Sequence, residues 1–319
     1  MHDRRQIIFS ATALAAAAAA SAANAQASPS GEARRAAKRG APAAPAPLTA
    51  ESTSRFAQLG PIRVHYNDAG SGPAVVMLHG AGAGASGWSN FNRNIVPLSQ
   101  NHRVLLVDQL GYGGTGHFDG ISNTTENNAR MVRDLLDTLK IDKASVVGNS
   151  MGGASALNFG IDYPDRTHRL VFMGTATGAQ DSILVPVPTE GQKALRAAAM
   201  NPTVETLRAL FSIMVYDSSF VTDELLQSRV AAALATRRPA SFSKDEPLQR
   251  DLLRELNKCT AKTLAIHGTH DRVVPLDASL RLTQRLPDAQ MHIYSKTGHW
   301  VQYERADEFN RLVIDFIEH

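Results

Sequence analysis

The stretch Ala144-Ser145-Val146-Val147-Gly148-Asn149-Ser150-Met151-Gly152-Gly153-Ala154 decides how the rest of the chain reads. A short β-rich run, Ala144 to Val147, passes into G-x-S-x-G, and a helical segment over 151–162 follows at once. A strand-to-helix turn this sharp crowds its flanks, so the neighbouring side chains must be small, and it lifts the serine hydroxyl above the sheet. The five-residue pattern alone is common by chance. The strand before it and the helix after it make Ser150 a candidate nucleophile.

Similar runs lie on either side. Ala74–Leu78, Val104–Val107, Leu170–Met173, Thr263–Ile266 and Met291–Tyr294 lack polar alternation, as parallel strands covered on both faces do. Phe56–Leu59 and Ile62–Tyr66 flank Gly60-Pro61 and read as a hairpin. Helical periods fall between the runs, over 125–140 with Thr124 as N-cap, 277–286 and 305–317. This alternation predicts an α/β fold with a mostly parallel, doubly wound sheet. Residues 180–258 interrupt it with Pro186, Pro188 and helix-like stretches near 190–200, 203–214, 222–236 and 247–257. They are expected to form a helical cap inserted into a core made of 51–179 and 259–319.

A serine hydroxyl is a poor nucleophile without a base in reach. Of the eleven histidines, His299 alone sits at the C-terminal end of the final strand and after both Ser150 and a candidate acid. Asp271 sits just past another strand, and Ser, Asp, His is the chain order that accompanies this elbow. A buried carboxylate there would fix the imidazole tautomer and stabilise the imidazolium. Asp108, also at a strand end, is the rival acid. His267 and His270 beside Asp271 could be read as a metal cluster, but that would consume the triad acid, so neither metal nor cofactor is expected.

An oxyanion needs two N–H donors. The Met151 amide, at the start of a helix, is one; the other is expected from His79-Gly80-Ala81-Gly82-Ala83-Gly84, with Ala81 the first choice. No lysine follows this loop as a P-loop requires, and its glycines lack the dinucleotide spacing. His79 reads as scaffold for the loop.

The net charge of +3 over 319 residues is not carried by the folded body. Residues 1–50 hold six basic against two acidic residues, leaving 27 basic against 28 acidic over 51–319. A nucleic-acid binder would place its positive charge on the fold, so no nucleic-acid partner is expected. The single cysteine, Cys259, excludes an intrachain disulfide, a cysteine zinc site and an iron–sulfur cluster. Arg4 and Arg5, an apolar stretch from Ile7 to Ala23 and Ala23-Asn24-Ala25 read as a signal peptide cut after Ala25. An uncleaved anchor is the other reading, and the paired arginines also fit a twin-arginine leader. Residues 26–50, rich in Ala and Pro, read as a disordered linker. The expectation is an exported protein, periplasmic or secreted, with no stable membrane insertion after signal removal; a homo-oligomer is compatible with the sequence.

Four segments carry a resemblance: HGAGAGASGWSNFNRN at 79–94, GNSMGG at 148–153, VYDSSFVTDELLQSR at 215–229 and GHWVQYERADEFNRLVIDF at 298–316. Together they resemble the meta-cleavage product hydrolases, enzymes of α/β-hydrolase fold that cut a C–C bond in 2-hydroxy-6-oxo-hexa-2,4-dienoates. The resemblance covers 55–319. It implies a small-molecule carboxylate substrate, with Arg229 pairing its carboxylate, Asn90 and Asn149 lining the polar side of the pocket and Trp300 helping to hold the dienoate. Without it Arg229 would read as a solvated helix residue. It also implies ketonisation of the substrate before serine, or water held by serine, attacks the distal carbonyl, with His299 serving both proton transfers. This chain departs from the family in its export leader, in Ala83 where many members have proline, and in Leu110-Gly111-Tyr112-Gly113-Gly114-Thr115-Gly116 after Asp108. An exported carboxylesterase or lactonase with the same triad is the alternative.

Overall fold

The Gly60-Pro61 turn folds β1 (Ser54–Leu59) back on β2 (Ile62–Ala69) as an antiparallel hairpin. In the computed structural model β3 (Ala74–Leu78), β4 (Arg103–Val107), β5 (Ala144–Asn149), β6 (Thr167–Met173), β7 (Lys262–Gly268) and β8 (Ala289–Tyr294) follow. All eight form one sheet in the order β1-β2-β4-β3-β5-β6-β7-β8. β2 meets β4 antiparallel, and every neighbouring pair from β4 to β8 is parallel. This is the α/β, doubly wound arrangement expected. The structure describes residues 47–177, 182–236 and 250–319. The expected signal peptide and most of the linker lie outside the described residues.

Alternation along a single strand explains the layering. In β3, Val76 and Leu78 pack with Leu135, Leu136, Leu157 and Phe159 from helices Thr125–Thr138 and Met151–Asp162. Val75 and Met77 face the opposite way, onto Ile95, Leu98, Phe309 and Val313. Each of these fully buried apolar side chains contributes about 1.5–3 kcal/mol relative to exposure. β8 differs from the expectation for its apolar run. As the outer strand it is only half covered, and Ile293 is 43% exposed.

The inserted segment contains helices Glu190–Met200, Val204–Met214 and Asp223–Thr236. Thr189 and Thr203 start the first two with capping boxes. Ala198, Leu207, Leu210, Phe211 and Leu226 join Val273, Trp300 and Tyr303 in a third apolar cluster. Two expected boundaries move. No α-helix fills 250–257; two 3-10 turns stand there, Leu252–Arg254 and Leu256–Lys258. Leu252 and Leu256 pack with Phe159, Leu170 and Cys259 under the sheet, so the core resumes before 259. Arg250 strengthens that return by bridging Asp162 and Glu255. At the other end, Thr49 caps helix Ala50–Thr53 and Leu48 packs on the core, so the ordered body starts earlier than 51. Among the described residues, no helix is long and apolar enough to cross a membrane.

The topology then assembles a site. β3, β5, β6, β7 and β8 are successive neighbours and all point the same way. The segments leaving their C-terminal ends carry Gly80, Ser150, Gly174, Asp271 and His299 in that spatial order.

Candidate active site

Ser150 is the single residue between β5 and helix Met151–Asp162, with φ 55° and ψ −118°. A non-glycine residue in that region is strained and persists only where its surroundings fix it. Two contacts do so here. Ser150 N–H donates to the Met173 carbonyl at 2.8 Å. A side chain at Gly152 would collide with the Leu78 carbonyl, so only glycine lets the helix approach β3 this closely. The Met151 amide begins the helix directly after the serine, and the loop bearing Ala81 runs beside it. A Cβ at Gly80 would lie 3.2 Å from Ser150 Cβ.

Asp271 and His299 come together as expected. His299 Nδ1–H donates to Asp271 Oδ2 at 2.8 Å, and both side chains are almost wholly buried. Because a carboxylate only accepts, the proton sits on Nδ1 and leaves Nε2 as the acceptor a general base needs. The other carboxylate oxygen, Oδ1, accepts from the Val273 and Val274 amides at 2.8 and 2.9 Å. Burial alone would raise the Asp271 carboxyl pKa, but His299, His267 and the Val274 amide outweigh burial and hold it below the ordinary carboxylate value. Gly174 makes room for the pair: a Cβ there would lie 2.8 Å from His299 Nδ1 and 3.1 Å from Asp271 Oδ2. Met173, just before it, receives the Ser150 amide, so all three residues meet around one short segment. Among the described residues no hydrogen bond joins Ser150 Oγ to His299. In ligand-free triads that contact is often long and tightens when substrate binds.

The remaining predicted residues fall round this centre. Asn149 Nδ2 reaches the His299 carbonyl at 3.4 Å and the Met173 carbonyl at 3.5 Å, so it ties the base to the elbow. Asn90 Oδ1 accepts from Gly80 N–H and from Trp300 Nε1–H, both at 3.3 Å. Trp300 is only 2% exposed and stacks on Tyr303 at 4.6 Å, a wall that holds Asn90 rather than an open platform. Arg229, on helix Asp223–Thr236, is 5% exposed, so it is no solvated surface residue. Its Nη1 donates to Ser89 Oγ at 2.7 Å, its Nε has no partner, and no ion pair involves it among the described residues. Burial lowers its pKa to about 10, an environment that resists a lone charge. A Cβ at Gly82, in the glycine loop, would lie 3.7 Å from its Nη2.

The rival acid is accounted for. Asp108 accepts from His65 Nδ1, Gly87 N–H and Gly114 N–H at 2.7–2.8 Å, none of them part of this centre.

Comparison with known proteins agrees with this geometry. A model of the alpha/beta hydrolase fold family matches residues 73–306. The 2-hydroxy-6-oxononadienedioate/2-hydroxy-6-oxononatrienedioate hydrolase of Paraburkholderia xenovorans (strain LB400) is 44% identical over 283 residues, 85% of this chain and 98% of that protein. The chain belongs to the α/β hydrolases, among the meta-cleavage product hydrolases. The 2-hydroxy-6-oxo-6-phenylhexa-2,4-dienoate hydrolase of Burkholderia cepacia is 43% identical, over 85% of this chain and 98% of its own. The meta-cleavage product hydrolase CumD of Pseudomonas fluorescens IP01, solved as a variant with acetates, superposes with TM-score 0.74 at 34% identity, covering 83% of this chain and 97% of that one.

Three side chains support the hydrolase's site: His79, read from the sequence as loop scaffold, and His267 and Glu304, which have no local sequence signal. His267, on β7, donates Nε2–H to the Val274 carbonyl at 3.0 Å and bonds Ser279 Oγ through Nδ1 at 2.8 Å. It backs Asp271 from 3.4 Å. His79 donates to the Gly80 carbonyl and accepts from Gln109 N–H, bracing the glycine loop. Glu304 accepts from Gly298 N–H at 2.9 Å and from Tyr216 N–H at 2.8 Å, tying the His299 loop to the chain leaving helix Val204–Met214.

These groups give a pH dependence. Burial lowers the pKa of both His79 and His267 from 6.5, against the pull of Asp108 and Asp271 respectively. The unfolded chain therefore binds more protons than the folded one just below that value, and stability is lost as pH falls. Burial raises Glu304 despite its N–H partners, and a raised carboxyl works in the opposite sense. The melting temperature is expected to drop as pH falls through 6.5, and Glu304→Gln to lose an opposing contribution that sets in above 4.5. A flat profile in both proteins contradicts this.

Proposed function

We propose that this hydrolase cleaves the C–C bond of 2-hydroxy-6-oxo-dienoates, the vinylogous diketones left by aromatic ring fission. One observation carries the reading: Arg229, a guanidinium buried with no ion pair among the described residues and poised beside the glycine loop. Such a charge is costly until an anion pairs with it, and a guanidinium fork suits a planar carboxylate. The names of the relatives supply the anion: both are hydrolases of 2-hydroxy-6-oxo acids. Arg229 binds the carboxylate and leaves the distal carbonyl over Ser150. His299 moves protons, first in ketonisation and then at the attack by Ser150 or by water it holds. The Met151 and Ala81 amides receive the developing oxyanion, and Asn90 and Trp300 keep the glycine loop in place.

Arg229→Met tests this role. KM for carboxylate substrates is expected to rise ~10- to ~100-fold, the worth of a charge-assisted hydrogen bond, while neutral esters keep their KM. Thermal stability of the ligand-free protein is expected not to fall, because a desolvated charge is replaced by an apolar side chain of similar length. Equal losses on neutral and charged substrates rule the role out. The leader supports export with cleavage after Ala25, and N-terminal sequencing of the mature protein from the periplasmic fraction tests that; an intact Met1 there overturns it.

A further inference from the structure

A second serine–histidine–aspartate relay lies on the opposite side of the glycine loop from Ser150, where the edge hairpin meets β4. Ser54 Oγ is 2.9 Å from His65 Nε2, and His65 Nδ1 is 2.7 Å from Asp108 Oδ2. We propose that Ser54, His65 and Asp108 form a second nucleophilic site, one that takes acyl or phosphonyl groups from small activated donors. The site is separate from Ser150 and independent of the reading given to that centre.

The hairpin register builds it. Phe56 pairs with His65 across β1 and β2, and Ser54, two residues earlier, shares the face of Phe56. The Phe56 ring packs 4.9 Å from the imidazole, tilted by 57°. Asp108, 1% exposed, is fixed by Gly87 N–H at 2.7 Å and Gly114 N–H at 2.8 Å. A carboxylate so placed only accepts, so the histidine proton sits on Nδ1 and Nε2 accepts from the Ser54 hydroxyl. This is the tautomer and connectivity of a nucleophile with its general base. The relay is reachable, since Ser54 is half-buried and the His65 side chain is 15% exposed, against 4% for His299. Cations flank it. Arg55 Nη1 donates to the Ser54 carbonyl at 2.7 Å, and the Arg63 guanidinium lies 3.6 Å from the Phe56 ring centroid. The Arg55 guanidinium beside the serine favours donors whose transferring group gathers negative charge, such as phosphonyl fluorides and aryl esters. Turnover of a large substrate is not expected at this edge of the sheet.

In the reaction Ser54 Oγ forms a bond to the phosphorus of a phosphonyl fluoride while the P–F bond breaks. The hydroxyl proton passes to His65 Nε2 and leaves with fluoride as HF. With an aryl ester, the bond forms to the carbonyl carbon and the phenol departs with the same proton.

The test uses the full chain carrying Ser150→Ala, incubated with an alkyl fluorophosphonate and read by intact mass and peptide mapping. One adduct on Ser54 is expected, absent when Ser54→Ala is added and at least ~100-fold slower when His65→Gln is added. Ser52, an exposed serine two residues away, serves as an internal control in the same digest. No adduct on Ser54, labelling of Ser52 at the same rate, or an unchanged rate in His65→Gln each overturns the proposal. A relay that only staples the hairpin would lower the melting point of His65→Gln and take up no label.

Discussion

Ser150→Ala is expected to lower kcat by at least ~10³ on any substrate of this enzyme while leaving the fold intact. The loss follows from removing the hydroxyl proposed as nucleophile at the elbow. The fold survives because the hydroxyl forms no hydrogen bond among the described residues, whereas the backbone bond from Ser150 N–H to Met173 remains in alanine. Residual rate would come from the Met151 and Ala81 amides and from substrate binding. His299→Ala is expected to fall by a similar factor, and the double variant by no more than the larger single loss, because nucleophile and base act as one unit. Circular dichroism checks the fold, and steady-state kinetics check the rest. Turnover within tenfold of wild type in either variant contradicts the triad.

Asp271→Asn is expected to cost ~10⁴ in kcat, more than its small change in shape implies. In the wild-type protein Oδ2 accepts the His299 Nδ1 proton while Oδ1 accepts two amides, from Val273 and Val274. An asparagine keeps its oxygen for those two amides and so turns its NH2 toward Nδ1. The imidazole then carries its proton on Nε2 and has no lone pair for the Ser150 hydroxyl. Folding should be retained because the amide contacts survive. A kcat within tenfold of wild type would show that the base needs no carboxylate partner, since Asp108 is committed elsewhere to His65, Gly87 and Gly114.

Much of this site is legible in the sequence because its parts obey local rules. Ser150 announces itself through small neighbours between a strand and a helix, and Asp271 and His299 through their place just after two strands. Other residues obey no local rule. Arg229 reads as a surface arginine until its family is recognised, because burial by the glycine loop is a tertiary fact. His267 and Glu304 support Asp271 and the His299 loop through bonds that depend on how loops fold back. Gly174 is needed only because two side chains from other strands converge on it. The misplaced boundaries have a similar cause. Leu252, Leu253 and Leu256 carry a helical spacing, but they dock as two tight turns because Phe159 and Leu170 offer an apolar surface beneath them. Trp300 is predicted as a substrate contact, yet Tyr303, Phe211 and Asn90 enclose it. The edge position of β8 is likewise set by the sheet and not by its own residues.

In the roles proposed for Ser150, Asp271, His299 and Arg229, the chemistry on offer is proton transfer, attack at a carbonyl, and grip on a carboxylate. The most direct test is kcat/KM of the purified enzyme on a coloured 2-hydroxy-6-oxo-dienoate, set beside that on p-nitrophenyl acetate. Rapid bleaching of the dienoate with slow ester turnover is the predicted result. Efficient ester hydrolysis with no bleaching would contradict it and make the protein an esterase on the same triad.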